Sequence, residues 1–521
     1  MLLIINAKIW PKENLQGILI ENGLIKEITN SDVLLKKYKD INIYDANKKR
    51  IIPGLNDSHL HLVGYARLKR QLRLDKATSV SEVISLGKNY LDKNPNLEFI
   101  IGNLYNDNNF VEKRILEKFD LDKISKDIPI AIYRVCGHIC TVNSKAIELL
   151  GLNPRKNIEG GSIDIRNGEL TGVIRENAME LLNPVFDKQY SIPEYKELIL
   201  EAVADANKVG LTSLQPNDIS RNIEIGLKKY TAYKELVLEN KLNARINHQI
   251  TFDTVDEFVE FLEKVDFEND YLKLGPIKLF IDGSLGANTA AMFDNYLGDN
   301  QNGIICLTKD QLRSFVEYGF RNNRPIIIHA IGDRGINSVL DEFEVFNKEK
   351  NENRNGIVHV QITSNEILQR FKNLGVCALV QPIFINTDMF MVYDKVKKEL
   401  ADTSYAFRTL LENTMTSFSS DAPVEDFNPF YGIYHAVTRK DITGKHIYIK
   451  EEGVSLEDAI TSYTTNGAYM SFEENKKGRI EEGYLADLVI LEQDIYNIDF
   501  DSIKDIEVKC TIVGGRIVYE K

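Results

Sequence analysis

Cysteine is scarce in this chain: five thiols, at 136, 140, 306, 377 and 510, are scattered through 521 residues. So few, odd in number and far apart, they make no disulfide framework. Cys136 and Cys140 have no second pair to complete a zinc knuckle, so reduced thiols in a cytoplasmic protein are expected. Long apolar runs are missing too, and none approaches the roughly 20 residues that span a bilayer. The first residues, Met1 to Lys8, carry no basic segment ahead of their short apolar run, so they read as a strand and not as a signal peptide. Nor is there a basic excess: 64 Lys and Arg against 77 Asp and Glu leave a net charge of −13. That balance argues against nucleic acid or an anionic membrane as a partner and favours solubility; a small-molecule substrate is expected. No glycine-rich phosphate fingerprint follows any candidate strand, which weakens an open dinucleotide-binding sheet. Repeats, low-complexity tracts and disordered linkers are absent as well.

What is present is an ordinary globular composition, 43% apolar and 27% charged, spread over a length that calls for two or three domains. Residues 17–28 place apolar runs on either side of Asn22-Gly23, the strongest short hairpin signal. The stretches 486–491 and 510–519 have the same texture. Neither end can bury much alone, so residues 1–50 and 475–521 are expected to pair into one small β-sandwich domain. Between them, buried-type strands alternate with helical stretches: 51–57, 211–215, 243–250, 274–281, 325–329, 356–360, 375–381 and 415–420. Eight such strands suit a (β/α)8 barrel, an α/β fold built here from 51–70 and 205–474. The gap after the first strand is far longer than a βα connection. Residues 71–204 are therefore expected to form an insertion subdomain, with strands of its own near 99–102 and 130–133, covering the active site.

Histidine is rare enough for its placement to inform: there are eight. His59 and His61 end the first candidate strand two residues apart, and side chains at i and i+2 on a strand share a face. Two neutral imidazoles on one face can grip a divalent metal. His329 and His359 close the fifth and sixth strands, Lys278 lies within the fourth, Asp421 follows the eighth, and His248 ends the third. In a parallel barrel these strand ends converge on one mouth. A lone strand-end histidine is usually structural; this joint pattern points to a metal site.

At these residues the chain resembles the amidohydrolase superfamily, specifically its amidohydrolase-3 branch of N-substituted formamide deformylase-like hydrolases. The likeness rests on Pro-Gly-Leu-Asn-Asp-Ser-His-Leu-His at 53–61, Lys-Leu-Phe-Ile-Asp-Gly-Ser-Leu-Gly at 278–286, His-Ala-Ile-Gly-Asp-Arg at 329–334 and Ser-Asp-Ala-Pro-Val at 420–424. It implies His59 and His61 on one metal, His329 and His359 on a second, a carboxylated Lys278 bridging the two, and Asp421 as metal ligand and general base. One or two divalent ions, zinc first among the candidates, would then be the cofactor. A carbamate is an anion with two oxygens and can join two cations, whereas an ammonium has no lone pair. The Lys278 alternative is a barrel lysine paired with an acid such as Asp282. His138 resembles a segment that reaches from the insertion toward substrate, and His248 is a candidate substrate donor from the third strand. The reaction implied is hydrolysis of a non-peptide C–N bond by metal-activated hydroxide. A deaminase or ester-type hydrolase on the same scaffold, or a relative without activity, is the alternative, and a homodimer is a family-level expectation.

Overall fold

Eight parallel strands form one continuous ladder in the computed structural model of the chain, which describes residues 1–135, 139–154, 161–186, 190–346 and 351–521. They are β1 (Leu55–Leu60), β2 (Leu211–Pro216), β3 (Arg245–Thr251), β4 (Leu272–Phe280), β5 (Ile326–Ala330), β6 (Gly356–His359), β7 (Cys377–Val380) and β8 (Thr416–Phe418). Their order in the sheet is their order in the sequence. The two edges meet at the C-terminal end, where Asp421 N donates to His59 O at 2.9 Å and His61 N donates to Ala422 O at 2.7 Å. This is the expected (β/α)-barrel, with one helix or more after each strand from β2 onward. The helices are amphipathic in the usual way. Lys309–Arg321, for example, is capped by Thr308 and buries Leu312, Phe315, Val316 and Gly319, one stripe at 3- and 4-residue spacing.

The chain divides into two compact units, one of Met1–Tyr65 with Ile192–Lys521 and the other of Ala66–Ser191. In the first unit both chain ends build a single eight-stranded sheet. Its main order is 516–520, 508–513, 488–491, 50–53, 2–9, 15–21 and 24–29, with Asn42–Asp45 beside Leu2–Ile9. The Asn22-Gly23 hairpin is there, with φ of 52° and 80°, the pair of positive values that a type I′ turn needs. Ile4, Ile18, Ile51, Leu488, Ile490, Cys510 and Ile512 come from strands across that sheet and share one core.

The chain leaves this sheet three residues later than the apolar pattern suggests. Ile51 and Ile52 belong to the terminal sheet, pairing with Ile490 and Val489, and β1 begins only at Leu55. The switch falls at Pro53-Gly54 for a steric reason. A Cβ on Gly54 would lie 2.2 Å from Thr212 Oγ1, so only glycine lets the chain pass against β2.

At the N-terminal end of the barrel, charged side chains tie strand starts to the returning segment. Arg245 and Asp487, both almost fully buried, pair at 2.6 Å, and Lys273 and Lys477 flank Glu473 at 2.7 and 2.6 Å. Gln215 donates to Gly467 O at 2.9 Å. That end is closed by structure, which leaves the opposite mouth for chemistry.

The second unit has its own six-stranded sheet, in the order 161–166, 169–176, 139–142, 130–134, 100–105, 72–73. The expected strands near 99–102 and 130–133 are a parallel neighbouring pair within it. Leu74, Val83, Ile100, Phe110, Leu121 and Ile132 form one of its two cores. Among the described residues, no helix is long and apolar enough to cross a membrane.

Candidate metal centre

The C-terminal ends of β1, β5, β6 and β8 bring their polar residues together. His59 Nε2 and His61 Nε2 lie 3.4 and 3.3 Å from Asp421 Oδ1. His359 Nε2 lies 4.0 Å from Asp421 Oδ2. The rings of His329 and His359 sit edge to face with centroids 4.4 Å apart. Register explains the last pair, because Ala330 of β5 is level with His359 of β6. One ligand atom each from His59, His61 and Asp421 forms a group within 4.8 Å.

The state of these groups suits a cation. Burial, reinforced by the charge of Lys278, holds His59 well below its ordinary pKa, and His359 is depressed by burial, His329 and Lys278. His329 is pushed down to about 3 by burial and then by Lys278. Burial also pulls His61 down, but its contact with Asp421 outweighs this and leaves it raised. His59, His329 and His359, kept neutral, therefore offer lone pairs and not protons. Asp421 Oδ1 is buried with no hydrogen-bond partner, an arrangement that is costly unless a cation or water fills the gap. A carboxylate oxygen and two imidazole nitrogens converging on one point fit a divalent ion of the zinc type.

Lys278 is fully buried on β4. Its Nζ donates to Leu279 O at 3.1 Å and sits 3.7 Å from the centre of the Phe280 ring. Burial lowers its pKa to about 7, against the opposing pull of Asp421 and Asp282. Asp282 is occupied otherwise: its carboxylate accepts from Ala291 N (2.9 Å), Ile331 N (3.1 Å) and Gly332 N (2.8 Å). It thereby pins the turn that follows His329, whose Nε2 lies 3.0 Å from Gly283 O.

One candidate falls elsewhere. His248 and Gln249 are successive residues of β3 and so face opposite ways. Gln249 reaches His59, while His248 is turned into the layer beneath the helix Ile223–Leu238, against Tyr233 with ring centroids 4.5 Å apart. Fully buried there, with its pKa lowered to about 3 by burial, His248 is not brought to the cluster. His138 lies outside the described residues, as does Cys136.

Other residues join the site that residue type alone did not mark. Asp57, fully buried and raised to about 7 by that burial, accepts from His59 N at 3.2 Å, from Ser420 N at 3.1 Å and from the Ser420 hydroxyl. It couples His59 of β1 to the residue before Asp421. Its position two before His59 on the same strand face was the available signal. Gln249 and Gln381 back His59 and His359; their ends of β3 and β7 are a signal only once the barrel register is known.

Residues 42–519 match the model of the amidohydrolase family Amidohydro_3. The chain belongs to that family. An amidohydrolase relative over nearly its full length is YtcJ of Bacillus subtilis (strain 168), 30% identical across 97% of this chain and 96% of its own. The N-substituted formamide deformylase of Arthrobacter pascens is 23% identical across 100% and 98%. Among solved structures, a metal-dependent hydrolase from Pyrococcus horikoshii superposes with a TM-score of 0.81 at 28% identity, covering 96% of this chain and 99% of that one. The family, the barrel and a metal-dependent hydrolase class are thus in agreement with the residues at the mouth.

Proposed function

We propose that this amidohydrolase cleaves a non-peptide C–N bond, an amide, formamide or cyclic amide, with Asp421 as general base beside one or two divalent ions, zinc first. The observation that carries the reading is Asp421 Oδ1, buried, unpartnered and within 3.4 Å of two imidazole nitrogens. His59, His61 and Asp421 would hold one ion; His329 and His359 would hold a second. Lys278, with its pKa near 7, is unprotonated often enough at neutral pH to add to carbon dioxide. That addition would form an N–C bond and release one proton, and the resulting carbamate would offer two anionic oxygens to metal.

A divalent ion at such a site makes its water acidic near neutral pH and polarises a carbonyl. The protein's own part is proton handling. Asp421 takes a proton from the attacking water as the oxygen adds to the carbonyl carbon, then delivers it to the leaving nitrogen as the C–N bond breaks. The acid and the amine leave, and the carboxylate is restored. His59, His329 and His359, held weakly basic by burial, do not compete with Asp421 for that proton.

The test is a panel of N-formyl and N-acyl amines, cyclic amides, aminated heterocycles and esters, assayed with protein of measured metal content. Amine release from an N-formyl or N-acyl substrate, lost on chelation and restored by metal, is the expected result. Ammonia release from heterocycles alone, or ester cleavage alone, would replace the C–N assignment. A chain that neither carries nor acquires a transition metal would remove the reading altogether.

A further inference from the structure

Two buried glutamines stand behind the histidines, and their hydrogen bonds run in one direction only. Gln249 of β3 is fully buried. Its Nε2 donates to Ser58 O at 2.8 Å, and its Oε1 faces His59 Nδ1 at 2.5 Å. Gln381, just past β7, is equally buried. Its Nε2 donates to Ser419 Oγ at 2.8 Å and to Leu379 O at 3.2 Å, and its Oε1 faces His359 Nδ1 at 2.8 Å. A backbone carbonyl can only accept, so in both residues the NH₂ group must take the carbonyl side. The amide oxygen is left for the imidazole, and an oxygen needs an N–H there. Rotating either amide by half a turn would set its oxygen against a backbone carbonyl oxygen, two buried acceptors with no proton between them, at a cost of about 1–3 kcal/mol each.

We infer that Gln249 and Gln381 are positioning residues that fix His59 and His359 as their Nδ1–H tautomers, so that both present Nε2 lone pairs toward Asp421. The inference rests on the metal-centre reading for its purpose, but not for its geometry. His329 is held the other way round: its Nε2 faces Gly283 O at 3.0 Å, which leaves Nδ1 as its free nitrogen. The choice of a neutral amide also matters. A carboxylate in the same place would make the imidazole a more basic ligand and add negative charge next to Asp421. Each glutamine comes from a different strand than the histidine it holds, so the tautomers are set by barrel closure and not by local sequence.

The first experiment needs no metal. Long-range ¹⁵N–¹H correlation spectra of the metal-free full chain, labelled at histidine, report which ring nitrogen carries the proton. His59 and His359 are expected as Nδ1–H, and His329 as Nε2–H. In Gln249→Leu, His59 alone should lose its single tautomer, and in Gln381→Leu, His359 alone. Either histidine found as Nε2–H in the unaltered protein would overturn the inference even if the chain binds metal. The expected tautomers in a chain that binds no metal would leave it standing and reject the metal centre instead.

The second experiment is cobalt(II) binding by equilibrium dialysis with its visible spectrum as the signature. The two leucine variants should bind about 10–100-fold more weakly. Gln249→Glu and Gln381→Glu, which keep an acceptor for the imidazole and, when protonated, a donor for the backbone carbonyl, should bind cobalt more tightly than the leucine variants. They also serve where a leucine variant fails to fold. Parent-like affinity in a folded leucine variant would overturn the inference, as would glutamate variants that bind no better than the leucine ones.

Discussion

Asp421→Asn separates the base from the scaffold more cleanly than any other change at this centre, and the backbone is the reason. Asp421 has φ of 57°, in the left-handed region where Asp and Asn settle through local hydrogen bonds and other side chains are strained by roughly 1–2 kcal/mol. Alanine would therefore disturb the loop and the chemistry together. The strain would spread, because Asp421 N and Ala422 O hold His59 O and His61 N across the seam between β8 and β1. Asparagine keeps φ, keeps Oδ1 beside the two imidazoles and removes only the capacity to take a proton. General acid–base groups contribute about 10²–10⁴ in rate, which corresponds to roughly 2.7–5.5 kcal/mol of barrier. The expected outcome is turnover reduced at least a hundredfold at saturating metal and substrate. The bound-metal count should stay near the parent's, with affinity weakened by one lost charge. The assay is kcat on an amide from the panel, with metal per chain measured on the same samples by mass spectrometry. An asparagine variant with full metal and more than a tenth of parental turnover would refute the base assignment.

Three further outcomes follow from the same geometry. Lys278→Met should leave the His59–His61–Asp421 ion in place while lowering metal per chain toward one, measured by the same elemental analysis; an unchanged count of two would dismiss the lysine bridge. His248→Phe should keep metal and turnover while resisting acid better. The buried imidazole titrates at about 3 but at 6.5 when unfolded, so its stabilisation is whole above pH 6.5 and drains as pH falls toward 3, by up to about 1.4 kcal/mol per pH unit. The parent's thermal midpoint should then drop faster than the variant's between pH 6 and 4, and parallel curves would count against it. Asp487→Asn strips the buried Arg245 of its counter-charge, which typically costs about 3–5 kcal/mol. Urea unfolding should shift accordingly, and a shift below about 1 kcal/mol would show the pair to be dispensable.

How far the sequence led depends on what kind of information each residue carries. The cluster of His59, His61, His329, His359 and Asp421 was legible because histidine is rare here and because strand-end position converts directly into place at a barrel mouth. The eight strands were legible because continuous apolar runs bounded by helices have few other uses. The change of sheet at Pro53-Gly54 was not, since Ile51-Ile52 reads as strand in either sheet and only the approach of Thr212 decides which. His248 and Gln249 show the same limit at the site. Both end the third strand, and a shift of one residue in register exchanges the one that faces His59 for the one that faces Tyr233. A histidine draws the eye and a glutamine does not, so residue type pointed to the wrong face.

The pairing of Leu488–Leu491 with Arg50–Pro53 has a consequence for how the protein is made. The strand that leads into His59 leaves the ribosome long before its antiparallel partner, which is about 435 residues behind it. At about 5–20 residues per second, the nascent chain carries that edge half-paired for roughly 20–90 seconds. During this time the apolar Ile51-Ile52 ridge is open to neighbouring nascent chains. Soluble yield from a heterologous host should therefore depend on translation speed and on chaperones that shield early strands, even where the finished protein is stable.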